Sequence, residues 1–274
     1  MRSVHLIILF LFSFSLNAQP NCEAFKYYGD ELKYEACKEA EKRRGHYQFS
    51  RRYQEALDDA LAIDSTFAYA YKAKSTAYLK SGDFITWKKL IDKAVKYDPE
   101  GELFYRASCR YQFFRDYAGA IKDIELLDSL VDYDIGYSQN GDYHLNTIKG
   151  LSYKALGKPE LAVEILEKQF GSSSHNVGIY DYLHLGVLYF ELGKYEKAME
   201  CLKRQEDEND IAENRYYIAL TYKALDELDN YRINLEAAKS KYEKESRMMD
   251  VYVEKMDQVF YSDIIDEMNR LSEK

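Results

Sequence analysis

Residues 180–202 read YDYLHLGVLYFELGKYEKAMECL, and this stretch decides the fold. Tyr182, Leu185 and Tyr189 recur at helical spacing, so they share one face of a first helix. Gly193 breaks that helix, and Tyr195 opens a second one that carries Ala198 and Leu202. Gly186 and Ala198 are small where two antiparallel helices must touch, and the larger apolar residues fill the space around the crossing. The stretch therefore predicts a helical hairpin that cannot bury its apolar face alone and must stack on neighbours.

Those neighbours lie on both sides. Upstream, one copy holds Tyr71, Ser75, Tyr78, Gly82-Asp83-Phe84, Ile91, Ala94 and Pro99. The next holds Phe104, Ser108, Tyr111, Asp116-Tyr117, Ala120 and Ile124. Another holds Gly150, Tyr153, Gly157, Ala162 and Leu166, and the last holds Ile218, Ala219, Tyr222, Leu235 and Ala238. A first, degenerate unit shows only its second helix, in Tyr53, Ala56 and Ala60. The crossing residues Ser75, Ser108, Gly150, Gly186 and Ala219 keep a near-constant interval, except for an insertion near 128–142 marked by Asn140-Gly141.

The order Tyr182, Leu185-Gly186, Tyr189, then Ala198 and Leu202, resembles the W-x2-L-G-x2-Y and A-x3-F pattern of the tetratricopeptide repeat (TPR) family, with Tyr in the Trp place. The resemblance covers roughly residues 50–240. It implies an all-α fold, a right-handed α-solenoid of about six helix pairs. Trp87 and Tyr231 stand where the family prefers small residues, and Lys74 and Lys149 where it prefers Leu. Those crossings are expected to open or shift.

Both ends differ from the repeats. Residues 1–18 carry Arg2, an apolar run His5–Leu16 too short to span a bilayer, and a small residue at Ala18. They read as a signal peptide cleaved after Ala18, which implies a secreted or periplasmic protein without stable membrane insertion. Residues 19–246 form the expected solenoid. In 247–274, Met249, Tyr252, Met256, Phe260, Ile264, Met268 and Leu271 recur every three or four residues. That segment reads as a C-terminal capping helix, with a docking helix for a partner as the rival reading.

Export permits disulfides. Cys22 and Cys37 flank a short segment and could staple the mature N-terminus to the first helix, whereas Cys109 and Cys201 read as small buried residues. The net charge of −9 repels nucleic acid, and loss of Arg2 with the leader makes the mature chain more negative still. The sequence contains no G-x-S-x-G elbow, Walker-type loop or H-E-x-x-H, so neither catalysis nor a cofactor is expected. His184 reads as a packing residue, His175 as a loop residue without catalytic partners, and Asp132–Asp142 as a solvated loop lacking the EF-hand order.

In the TPR family the first helix of each pair lines a concave groove that holds a peptide or partner protein. By position, the resemblance assigns that face to Tyr69, Lys72, Thr76 and Lys80, then Tyr105, Cys109, Gln112 and Phe113. It continues with His144, Thr147, Leu151 and Lys154, then Tyr180, Leu183, Val187 and Phe190, and finally Tyr216, Leu220 and Lys223. Tyrosines bring large contact area at low entropic cost, and Lys72, Lys80, Lys154 and Lys223 offer places for a carboxylate or acidic segment. Lys72 and Arg106 only roughly echo a carboxylate clamp, with Thr76 replacing its Asn. The expected role is a protein-interaction module. A small-molecule or glycan binder, an enzyme with an unrecognised site and a self-assembling solenoid remain as alternatives.

Overall fold

The computed structural model describes residues 20–173 and 175–272, so the expected leader 1–18 lies outside the described residues. The chain divides into two compact units, the first ending at Tyr97 and the second beginning at Asp98. The described residues form fourteen helices and no named strand.

In the first unit, a short α1 (Cys22–Tyr27) is followed by the hairpins α2 (Glu31–Glu41)/α3 (Arg51–Ile63) and α4 (Ala68–Ser81)/α5 (Phe84–Tyr97). Asp30 and Ser50 start α2 and α3 by accepting from the amides of Lys33 and Tyr53 at 3.1 and 3.3 Å. Gly82 ends α4 at φ +81°, a left-handed conformation that costs glycine nothing. Ala36, Leu57, Ala60, Phe67 and Ala70 are buried in one cluster, and the alanines let helix backbones approach closely. Cys22 and Cys37 are joined by a disulfide with Cα atoms 5.5 Å apart, which ties α1 to α2. The degenerate first repeat is therefore a complete hairpin whose first helix is α2, hidden from the pattern by the long connector 42–50.

The second unit holds four hairpins. They are α6 (Pro99–Phe114)/α7 (Tyr117–Leu130), α8 (Leu145–Ala155)/α9 (Pro159–Phe170), α10 (Asp181–Glu191)/α11 (Tyr195–Asn209) and α12 (Ala212–Ala224)/α13 (Leu228–Glu243), followed by α14 (Tyr261–Ser272). Each second helix packs on the next first helix, and α6, α8, α10 and α12 contact one another in sequence. The crossing glycines behave as the pattern requires: a Cβ on Gly186 would lie 2.8 Å from Leu202, and one on Gly150 would overlap Leu166. Between repeats, Leu185, Leu188 and Tyr189 of α10 pack on Ala162, Val163 and Leu166 of α9. Trp87 and Tyr231, the bulky departures from the pattern, are both buried.

The tail does not form the single helix expected over 247–274. Only α14 is helical, and residues 247–260 run as an irregular strap. The helical half packs on the end of the stack, because Ile264 is buried with Tyr231, Leu235 and Ala238, and Met268 and Leu271 pack against them. Within the strap, one residue shows why a helix cannot continue. Asp257 adopts φ +62°, which a continuing right-handed helix excludes.

Candidate functional site: a strap across the first-helix layer

The layer formed by α6, α8, α10 and α12 is the face that the repeat pattern assigns to ligand. It is held by the protein's own strap, and each of the four first helices supplies a hydrogen bond or ion pair. Met248 starts the strap by donating its amide to Glu213 Oε2 on α12 at 3.0 Å. Asp250 then accepts from Gln112 Nε2 on α6 at 3.2 Å, and Glu254 pairs with Arg115 at the end of α6 at 3.0 Å. The chain turns back through Lys255 and Asp257, and Val259 is buried with Ala219 of α12.

Two residues of the returning limb carry buried charge. Lys255 donates to Asp142 of the inter-repeat insertion at 3.0 Å, with its ammonium 5.7 Å from the ring centre of Tyr143 and 5.8 Å from that of Tyr180. A cation held between two aromatic faces and a carboxylate keeps its electrostatic partners after losing water. Asp257 accepts from Lys154 Nζ on α8 at 2.5 Å and from His184 Nδ1 on α10 at 2.7 Å. With its proton on Nδ1, His184 presents Nε2 to the Tyr143 hydroxyl 3.3 Å away. Glu191 also reaches Lys154, at 3.0 Å.

These contacts set the charge states. Burial works against ionisation of Asp257, but Lys154 and the His184 hydrogen bond outweigh it and hold the carboxyl below its ordinary value. Burial likewise opposes the Lys154 ammonium, yet Asp257 and Glu191 raise its pKa. Glu213 is the opposite case: burial dominates and pushes its carboxyl above the ordinary 4.5 despite the backbone amides it accepts from. A raised folded-state pKa means that the stability contributed by Glu213 is present at low pH and is lost as pH rises through that pKa. Glu213→Gln removes this loss. The melting temperature of the variant minus that of the parent is therefore expected to become more positive from pH 4 to pH 8. Thermal melts at both pH values check this, and an unchanged difference would contradict it.

The predicted groove residues fall into three groups. Gln112, Lys154 and Tyr180 meet the strap. Lys223 pairs with Glu267 of α14, and Tyr216 packs on the cluster that contains Ile264. The others are built into the stack. Tyr105, Thr147 and Leu183 are buried, and half-buried Phe190 packs between Tyr195 and Tyr217. His144 is not on the exposed face of α8 at all. The insertion places it at the N-cap, where Nδ1 accepts from the Asn146 amide at 3.1 Å and Nε2 lies 2.9 Å from Asp134. In the first unit, Tyr69 bonds Arg43, Lys72 lies 5.7 Å from the Tyr69 ring, Thr76 bonds the Lys72 carbonyl at 3.4 Å, and Lys80 bonds Gln48 at 3.0 Å.

Other histidines and acids are structural. His175 is buried, stacked on Phe170 and 2.8 Å from Asp181. The insertion is more ordered than a solvated loop, since Ile135 and Ser138 are buried and Asp142 holds Lys255. Sequence reading missed Asp142, Tyr143, Glu213, Lys255 and Asp257 as site residues.

The tetratricopeptide repeat pattern matches residues 143–176 and 182–207. No curated protein matches the chain. Among solved structures, the chain is similar to pilF of Pseudomonas aeruginosa at 17% identity and TM-score 0.61, covering 87% of this chain and 98% of that one. It is similar to PilW, described as a widely conserved type IV pilus biogenesis factor, at 14% identity and TM-score 0.58, covering 78% and 93%. YrrB, described as a TPR protein with an unusual peptide-binding site, matches at 15% identity and TM-score 0.53, covering 68% and 92%. At these identities the likeness establishes the fold alone: the described residues form a stack of TPR-type helical hairpins.

Proposed function

We propose that the chain is an exported protein-interaction module that binds a protein or peptide partner on the first-helix layer of its second unit. One observation carries the reading: that layer already holds a non-helical segment of polypeptide by side-chain contacts from every first helix. A surface that grips one irregular segment has the depth and polar anchors to grip another. The relatives support it in kind. YrrB is described by a peptide-binding site and PilW by a role in pilus biogenesis, and a scaffold alone does not fix a function. Among the described residues no helix is long and apolar enough to cross a membrane.

The test is affinity capture from solubilised envelopes of the host, with the full chain and an Asp257→Lys chain, both shown to be equally helical. Charge reversal beside Lys154 displaces the strap. At least one protein is expected to be retained by the Asp257→Lys chain and lost when Gln112 and Arg115 are both changed to Glu. If nothing behaves so, the module reading falls. N-terminal sequencing of protein from the host is expected to begin at Gln19. An intact Met1 in the cytoplasm would remove the export half of the proposal.

A further inference from the structure

We propose that the first-helix layer is a two-subsite receptor for an extended segment in which Lys or Arg stands two residues before Asp or Glu, and that the strap's Lys255-Met256-Asp257 occupies it as a competing internal ligand. This rests on the interaction-module reading and adds the chemistry of the partner.

The subsites differ in kind. One is a cation site made by the Asp142 carboxylate and the rings of Tyr143 and Tyr180. The other is a carboxylate site made by Lys154 and His184, two donors converging on two oxygens of one acid at 2.5 and 2.7 Å. Their order along the strap fixes the order of charges that a competitor must present. A segment with the charges exchanged would set Lys against Lys154 and Asp against Asp142, and like charges in a partly dry site exclude it.

The strap is fastened in a way that suits release rather than permanent closure. At the turn the side chains that go in are charged: Lys255 is 8% exposed and Asp257 4%. Between the strap's two buried apolar ends, Met248 at 0% and Val259 at 3% exposed, other apolar side chains face out: Met249 is 59% exposed, Val251 82% and Tyr252 66%. A purely structural cover would be held at least as well by apolar contacts, because buried ion pairs add little net stability over a hydrophobic replacement. Ion pairs specify which sequence fits, and they can be exchanged one for one by a segment of the same charge order. Both ends of the strap are tethered, by α13 and α14, so it competes at a high effective concentration and an incoming segment must displace it.

The experiment uses the full chain carrying Lys255→Glu and Asp257→Lys, which cannot seat its own strap, beside wild type and the milder Asp257→Asn chain. The probes are a fluorescent peptide of residues 248–260 and two alanine-based peptides of equal length. One carries Lys and Asp at the places of Lys255 and Asp257, and the other carries them exchanged. Circular dichroism confirms folding, and if the double variant is misfolded the Asp257→Asn chain is read instead. The native and Lys-x-Asp peptides are expected to bind the opened chain at least ten-fold more tightly than wild type. They are also expected to bind it at least ten-fold more tightly than the Asp-x-Lys peptide does.

Equal binding of both charge orders, or no binding to a folded opened chain, overturns the proposal. A dimer of the opened chain that takes no peptide also overturns it, in favour of contact between two copies. Peptide selectivity without any captured envelope protein would sink the module reading alone. Capture without peptide selectivity would sink this receptor alone.

Discussion

Replacing Lys154 by Met is expected to reduce the amide-exchange protection of residues 248–260 by roughly two to three and a half orders of magnitude, with little change in α2–α5. The carboxyl of Asp257 is buried and its principal counter-charge is Lys154. Removing one member of a buried ion pair costs about 3–5 kcal/mol, because the survivor keeps its desolvation cost without its attraction. The strap offers Asp257 a route to water that leaves the helices folded, so the cost appears as local opening before global unfolding. Glu191 is the lesser partner: its side chain is 44% exposed and it stays solvated when Lys154 is gone. The double variant Lys154→Met with Asp257→Asn should regain most of the protection. Asn tolerates the φ of +62° and keeps an oxygen for His184 without a charge to bury. Unchanged protection in the single variant would mean that this pair does not hold the strap.

The helix pairs were legible because their signals are local and repeated. Gly186 against Leu202 and Gly150 against Leu166 place a small residue opposite a large one at the same phase in successive units. The apolar face of α14 was legible for a related reason, since Ile264, Met268 and Leu271 recur at helical spacing and sit on its packed side. The strap was not. Residues 247–260 contain neither Gly nor Pro, and Met249, Tyr252, Met256 and Phe260 continue the spacing of α14 backwards. Yet Met249 and Tyr252 are exposed, and Asp257 takes the left-handed conformation that a turn would ordinarily give to Gly. Local bonds from Asp250 and Gln258 to backbone amides turn the strap, but its seat on the helices is fixed by long-range pairs with Lys154 and His184, which no local pattern encodes.

Lys154 and Lys223 were readable as receivers of carboxylates, and each does receive one, from Asp257 and Glu267 of the same chain. Their partners lie in the tail, which the pattern reads as a cap or a docking helix and not as a segment laid over the first-helix layer. His144 was misplaced by the insertion, which starts α8 later than the repeat phase suggests and turns a face position into a helix cap.

Removing the Cys22–Cys37 disulfide is expected to cost the first unit about 3 kcal/mol, on the order of 10–20 °C in melting temperature for a unit of this size. The bond closes a loop with a sequence separation of 15, and its main effect is to deny the unfolded chain its open conformations. It also matters locally. At six residues α1 is too short to persist as an isolated helix, and it contributes Cys22 and Phe25 to the cluster of Cys37, Leu57 and Phe67. Phe25 meets Phe67 edge-to-face with ring centres 6.1 Å apart, so loss of the staple loosens an aromatic contact as well. A Cys22→Ala/Cys37→Ala chain should melt early and ignore reductant, whereas the parent should melt late when oxidised and fall to the variant's value after reduction. The same bond reports on location, because it persists only in an oxidising compartment. Alkylation and mass analysis of protein taken from the host should find Cys22 and Cys37 linked. Two alkylated thiols there would remove this support for export, and parent and variant melting together under oxidising conditions would remove the stabilising role.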